Sequence, residues 1–238
     1  MAKQINNQNQ INLSNFLNLH QEVQFFEGNR YSSNGEEKLK ILFLGKNHYL
    51  PSRYDNRIKN KIDWYQKDAN YFGINSTDLI FLNSKHIIQE DVIDSFRNNS
   101  LKQINRFHRI YKKIGEAYLE AFLPNKKVPF YDALEEIAFS NYFLRPSEKS
   151  TKSLKNIYPI DKICAYEYLV FIDQQLNPDY IIPLYKIIVT SFAAIKSMSG
   201  YTYDNNIYNS IENKIRILGK YTPYSFSKKE LVKLLKTL

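Results

Sequence analysis

The sequence is poor in cysteine, histidine, glycine and proline, and each shortage excludes a class of protein. Cys164 is the single cysteine among 238 residues, so the chain can form no internal disulfide. It also lacks the thiolates that a structural zinc or an iron–sulfur cluster requires, and its four histidines lack the short spacing of metal ligands. Seven glycines and eight prolines are too few for a collagen-like or low-complexity chain. We therefore expect no metal and no cofactor.

Long hydrophobic runs are also missing. No stretch approaches the roughly 18 consecutive apolar residues of a membrane-spanning helix. Residues 1–16 are rich in Asn and Gln, where a signal peptide would carry an apolar segment. Together with the single cysteine, these features predict a soluble protein of the reducing cytoplasm.

Positive charge is abundant. The formal net charge is +9 and the isoelectric point is near 9.3, which favours encounters with a polyanion such as nucleic acid. The chain is, however, rich in Lys, Asn, Ile and Tyr together. An AT-rich coding sequence produces this bias and raises the lysine count without any partner. Net charge therefore leaves both interpretations open.

The length and the hydrophobic content bound the domain organisation. With 43% hydrophobic residues, 238 residues suffice for one sizeable core, so a single domain is the simplest expectation. Residues 1–37 combine short apolar patches with a turn-rich end and predict an N-terminal arm or short helix. Residues 38–238 then form the domain, which we expect to be a monomer.

Strand and helix patterns alternate along this domain. Apolar runs predict strands over 39–45, 136–142, 180–184 and 213–218. Helical periodicity predicts helices over 104–122, 159–176 and 187–198, and Ser227 to Glu230 forms a capping box for a C-terminal helix. This alternation predicts an α/β fold with three layers, α/β/α, and a central, mostly parallel four-stranded sheet.

Three loops follow predicted strands and carry dense polar chemistry: 45–51, 140–149 and 219–227. Because the carboxyl ends of parallel strands meet at one edge, we expect these loops to form one crevice. The amide of Asn141 can donate and accept at once, as reading a base edge requires. Arg145 and Lys149 lie close by in sequence and can meet phosphates.

The first loop resembles a motif of the uracil-DNA glycosylase superfamily. Gly45-Lys46-Asn47-His48-Tyr49 is similar to the forms GQDPY, GINPG and GMNPG that follow the first strand in these enzymes. The resemblance implies that Asn47 positions the hydrolytic water and that Tyr49 blocks the methyl group of thymine. His48 stands where relatives have proline.

Later segments are similar to further motifs of the superfamily, in the same order. Residues 139–146, FSNYFLRP, resemble the segment whose Asn reads the uracil edge, which implies that role for Asn141. Residues 177–184, NPDYIIPL, resemble the phrase before the last loop. Thr222, Pro223 and Ser225 occupy that loop, which implies contacts with the DNA backbone, although its usual histidine is missing.

The resemblance implies a reaction and a partner. The partner is DNA that is single-stranded or contains uracil. A glycosylase flips the target base out of the DNA and hydrolyses the N-glycosidic bond that joins this base to the sugar. Asn47 would orient water, and His48 or backbone N–H groups would donate to the base oxygen. Gly45, Tyr49 and Asn141 would line the base pocket, with Phe72 or Tyr71 stacking on the base.

Each of these residues also has a structural interpretation. Asn47 can cap a turn, His48 can be a satisfied loop histidine, and Asn141 can serve backbone groups at a strand end. Phe72 can be ordinary core packing, and Arg145 can belong to a solvated loop. The first hypothesis is therefore a glycosylase. The second is a module of the same fold that binds nucleic acid or a modified base without catalysis, as in conflict between phage and host. The third, an unrelated hydrolase, ranks last because the sequence contains no G-x-S-x-G elbow.

Overall fold

A computed structural model describes residues 13–32, 38–98, 108–150, 154, 156–221 and 226–238. These residues form a mixed α/β structure around an open sheet with strand order β1-β3-β2-β4. β2 pairs in parallel with both β3 and β4, whereas β1 pairs antiparallel with β3. The predicted four-stranded, mostly parallel sheet is therefore confirmed. Its strands are β1 (Phe26–Glu27), β2 (Ile41–Asn47), β3 (Ala138–Phe143) and β4 (Tyr180–Pro183).

Helices fill most of the connections between the strands. The α-helices are α1 (Leu13–Leu19), α2 (Ser84–His86), α3 (Ser95–Arg97), α4 (Arg109–Phe122), α5 (Phe130–Leu134), α6 (Pro159–Leu176), α7 (Lys186–Ala193), α8 (Asn205–Lys214) and α9 (Lys228–Leu235). A π-helical segment, Ile87–Asp94, lies between α2 and α3, and short 3-10 turns follow β2. In the described part of the chain, no helix is long and apolar enough to cross a membrane.

The central strand β2 is buried on both faces. Leu42 and Leu44 contribute to one hydrophobic cluster, and Ile41 and Phe43 contribute to another. Successive side chains of a strand point to opposite faces, so a strand with a core on each side is apolar throughout. The continuous apolar run that predicted this strand has this physical origin.

Helices cover both faces of the sheet. α1, α6 and α8 supply Phe16, Leu169 and Ile211 to the cluster that contains Leu42. α4 and α9 supply Ile114 and Leu231 to the cluster that contains Phe43. The arrangement is a layer of helices on each side of the sheet, and all of these apolar side chains are shielded from water.

The prediction of a strand over residues 213–218 is wrong. α8 extends to Lys214, because the Asp204 side chain caps its first turn and Tyr208 and Ile211 bury one helical face. Only Ile215 pairs with the sheet, through a single parallel bridge to Ile181. The fourth strand is instead β1, which precedes β2 in the chain.

The N-terminal arm contributes to both the core and the sheet. Phe16 on α1 and Phe26 on β1 are fully buried. β1 lies at the edge of the sheet, where Phe26 is in register with Phe139 of β3. Burying two aromatic side chains removes a large apolar area from water, so this segment is part of the packed structure.

Candidate functional site

The candidate site lies at the carboxyl ends of the three parallel strands. β2 lies between β3 and β4 in the sheet. After β2 the chain continues toward β3, whereas after β4 it continues toward Ile215 on the opposite side. Where the direction of winding reverses in this way, the outgoing loops diverge and leave a crevice in which α/β proteins bind ligands. On the other side of β2, at the same edge of the sheet, the loops after β2 and β3 are joined, since Ser147 N–H donates to the His48 carbonyl (3.0 Å).

Gly45 and Asn141 lie side by side near this edge of the sheet. They are direct partners in the parallel register of β2 and β3. A Cβ on Gly45 would lie 2.5 Å from Asn141 Oδ1 and 2.6 Å from Phe139 Cζ. Both distances are shorter than any real contact, so the absent side chain of Gly45 is what lets the amide of Asn141 lie over β2.

His48 is buried beside Asn141. Its Nδ1 lies 3.3 Å from Asn141 Nδ2, and the ring also forms a hydrogen bond with the backbone of Phe81. Burial lowers the pKa of His48 to about 4, and the bond with Phe81 offsets only part of this effect. The ring is therefore neutral at pH 7, and the tautomer that suits both contacts accepts from Asn141 at Nδ1 and donates from Nε2.

Asn47 is buried and serves the backbone. Its Nδ2 donates to the His48 carbonyl (2.6 Å), and its Oδ1 accepts from the Leu154 N–H (3.3 Å). Lys46 Nζ donates to the Leu154 carbonyl (2.8 Å), and burial lowers the pKa of this lysine. Together Lys46 and Asn47 fix the chain after β3 over the end of β2. In a glycosylase the Asn47 amide would position a hydrolytic water. Here its nitrogen and its oxygen each form a hydrogen bond with the protein backbone.

Tyr49 and Phe72, the two expected aromatic residues of the base pocket, differ in burial. Tyr49 is half-buried just after β2, close to Asn47 and His48 in the chain. Phe72 is buried in the cluster on the other face of the sheet from Phe139, and its ring lies 5.5 Å from that of Trp64. Its neighbour Tyr71 is 61% exposed. Phe72 is thus a core residue and is not brought to Asn141.

Arg145 lies inside the protein, contrary to its expected place on a DNA-binding loop. Its Nε and Nη2 each donate to the Asp161 carboxylate at 2.8 Å, and Nη2 also donates to the Asn156 carbonyl (2.9 Å). Tyr65 donates its hydroxyl to the same carboxylate (2.7 Å). A fully buried guanidinium with these partners cannot reach a phosphate, so Arg145 holds the loop after β3 in place.

The remaining expected DNA contacts are Lys149 and three residues that follow Tyr221 in the sequence. Lys149 is exposed, and its loop is fixed to the turn after β2 because Asn56 N–H donates to the Glu148 carbonyl (2.8 Å). Thr222, Pro223 and Ser225 lie outside the described residues. Tyr221, which precedes them, donates its hydroxyl to the Pro183 carbonyl at the end of β4 (3.0 Å). The beginning of this loop is therefore at the expected edge of the sheet.

Sequence reasoning missed a second polar group beside the site. The Tyr111 ring, on α4, packs edge-on against Phe139 at 5.2 Å. Burial raises the pKa of Tyr111, and nearby Tyr185 and Asp91 raise it further. Tyr185 follows β4, and Asp91 lies on the π-helical segment, so three elements converge here. The helical pattern assigned Tyr111 to an apolar face, and nothing in the sequence connects it with Asp91 or Tyr185.

The comparisons with known proteins give no neighbour. No family model, no curated protein and no solved structure matches the chain. Within the described residues, no group of three or more His, Cys, Asp or Glu side chains could hold a metal ion. The protein is therefore an α/β protein in which the chain continues from β2 to neighbouring strands on both of its sides. The neutral ring of His48 and the amide of Asn141 lie at the carboxyl edge of its sheet.

Proposed function

We propose that the protein binds DNA and recognises a single altered base, such as uracil, at the carboxyl ends of β2 and β3, without cleaving it from the sugar. The observation that carries this proposal is the contact between Asn141 and His48 over Gly45. An amide held in this way keeps its oxygen and one N–H for a ligand, which matches the paired donor and acceptor on the edge of uracil. Asn141 is partly exposed, as such a role requires.

Hydrolysis of the N-glycosidic bond is the second candidate function. The ordered resemblance to the uracil-DNA glycosylase superfamily favours it, as does the position of Asn47 and Asn141 near the carboxyl ends of adjacent parallel strands. Against it stand the hydrogen bonds of Asn47, whose amide nitrogen and oxygen are both occupied by backbone groups. A glycosylase would need this amide to orient water toward the sugar cation.

One set of oligonucleotides distinguishes base recognition from cleavage of the N-glycosidic bond. Labelled single strands and duplexes that contain uracil, hypoxanthine or only ordinary bases are titrated by fluorescence anisotropy at low salt, and the same samples are then treated with alkali. We expect tighter binding to one altered base and no strand cleavage at an abasic site. Cleavage by the wild type that Asn47→Ala abolishes would establish the glycosylase instead.

Two asparagine variants test whether Asn141 reads the base. Asn141→Ala is expected to remove the preference for the altered base, because the edge of that base then lacks its partner. Asn206→Ala, on the exposed surface of α8, is the matched control and should keep the preference. A wild-type protein that binds none of the oligonucleotides contradicts both candidate functions.

A further inference from the structure

Positive charge is concentrated on one face of the molecule. We call residues 109–127, 220–221 and 226–238, which contain α4 and α9, the basic layer. It holds ten Lys and Arg residues and three glutamates, so its formal charge is +7 of the +9 that the whole chain carries. α4 and α9 pack against each other through the core on the face of the sheet that contains Phe43. The charge therefore lies on one continuous surface.

The carboxylates of the basic layer are used internally. Lys112 lies near Glu116 (3.7 Å), Lys228 near Glu120 (3.2 Å), and Lys233 near Glu230 (3.3 Å). Seven cations remain that have no carboxylate partner within the described part of the chain. They are Arg109, Lys113, Lys126, Lys127, Lys220, Lys229 and Lys236.

Part of this charge borders the candidate site. Arg109 begins α4, two residues before Tyr111, whose ring contacts Phe139 beside Gly45. Lys220 precedes Tyr221, which is bound to Pro183 at the end of β4. Lys229 lies in the first turn of α9, and all three cations are exposed. A backbone that crosses this surface would pass the edge of the sheet where Asn141 lies.

We infer that the basic layer binds the phosphate backbone of a nucleic acid and directs it to the carboxyl edge of the sheet. This inference rests on the proposed function and adds the surface that holds the strand. A compositional bias toward lysine would spread positive charge over the whole chain, whereas the 34 residues of the basic layer carry most of the net charge here. Clustered cations without internal partners are the electrostatic footprint of a polyanion site.

An anionic membrane is a less suitable partner for this surface. Helices that bind membranes insert an exposed apolar face between the lipids. None of the large hydrophobic residues that are exposed in the described chain lies on α4 or α9. The apolar side chains of α9, Leu231, Val232 and Leu235, are all buried against the core. The helices of the basic layer therefore offer charge and no apolar anchor.

Two triple variants with the same change in net charge test the inference. The first combines Arg109→Gln, Lys220→Gln and Lys229→Gln on the basic layer. The control combines Lys40→Gln, Lys162→Gln and Lys196→Gln, which lie before β2, on α6 and after α7. Affinity for a labelled 20-nucleotide single strand and for the matching duplex is measured by anisotropy between 50 and 200 mM NaCl. Circular dichroism confirms that both variants are folded.

The first variant is expected to bind at least about tenfold more weakly at 100 mM salt, and the slope of log K against log salt should fall by about 2 to 3. The control should keep the wild-type slope. Equal losses in both variants, or a loss in neither, would overturn the inference, as would tight binding of phosphatidylserine vesicles without binding of DNA. Asn141→Ala should lose base preference but keep the salt slope, so failure of base recognition and failure of this surface give different results.

Discussion

Single residues decide the geometry of the candidate site. Gly45 has no Cβ, and Asn141 and Phe139 occupy the space that a Cβ would need. The amide of Asn141 is thereby brought to His48, whose ring is kept neutral by burial. The site thus depends on the absent side chain of Gly45 in β2, the amide of Asn141 in β3 and the ring of His48 just after β2.

Replacing Gly45 by alanine is expected to destabilise the protein and to displace Asn141. The new methyl group would collide with Asn141 Oδ1 and Phe139 Cζ, and overpacking of this kind costs about 1 to 3 kcal/mol. Urea unfolding measures the change in the free energy of unfolding. Gly219→Ala is the control, since its Cβ would meet only Glu230 Oε2 at 3.2 Å, the end of a flexible side chain. Equal effects of the two substitutions would contradict this account of Gly45.

Arg145 shows how a residue type can mislead at this scale. An arginine in a polar loop after a strand is typical of phosphate binding, although Glu148, three residues on, lies 3.4 Å from Nη1 of Arg145. The fully buried partner of Arg145 is Asp161, sixteen residues further on, in the first turn of α6. Only the fold makes this buried ion pair, which costs much to break because either charge alone would remain desolvated.

At the scale of elements, α9 connects the basic layer to the core. It begins at the cap residue Ser227, whose side chain accepts from the Glu230 N–H (3.1 Å). Its buried leucines pack with α4, while Lys229 and Lys233 face solvent. The helix can therefore carry clustered charge because its other face is fixed by apolar packing.

Removing the cap of α9 should destabilise the protein by about 1 kcal/mol, because the Glu230 N–H loses its acceptor at the helix start. Ser227→Ala tests this by urea unfolding, and Ser227→Asn should restore most of the loss since asparagine also caps helices. Ser199→Ala, at an exposed position outside the helices, should have no measurable effect. A cost for Ser227→Asn as large as that for Ser227→Ala would mean that the cap is not what stabilises α9.

At the scale of the whole molecule, buried histidines couple stability to pH. Burial lowers the pKa of His48 to about 4 and also lowers the pKa values of His20 and His108. In the unfolded chain these groups titrate near 6.5. The unfolded state thus binds more protons between these values, so the stability present above pH 6.5 is lost as the pH falls.

We expect the free energy of unfolding to decrease between pH 6.5 and pH 4, with His48 contributing about 3 kcal/mol of the loss. Urea unfolding at several pH values measures the decrease. His48→Gln should flatten the pH profile, whereas Asn206→Ala, which removes no titratable group from the exposed surface of α8, should leave it unchanged. A wild-type stability that stays constant over this range would show that His48 is not buried as a neutral ring.

The sequence by itself determined the parts of the fold that local pattern controls. The apolar runs of β2, β3 and β4 and the helical periodicity of α4 and α6 identified these elements, because burial on a helix or strand face leaves a regular spacing. The same pattern indicated the parallel sheet, but it ended the first strand too early, since β2 extends through Gly45 to Asn47 and the predicted loop over 45–51 begins inside it. It failed at α8, where a short apolar run ending at Leu218 indicated a strand although the cap at Asp204 starts a helix.

The tertiary structure alone decided which side chains meet. The contact of His48 with Asn141, the bond of Asn47 to Leu154 and the pairing of Arg145 with Asp161 join positions that are sixteen to more than a hundred residues apart. It also placed β1 at the sheet edge and gathered two distant lysine-rich segments into one basic layer. Such contacts depend on strand order and helix packing, which residue spacing along the chain does not encode.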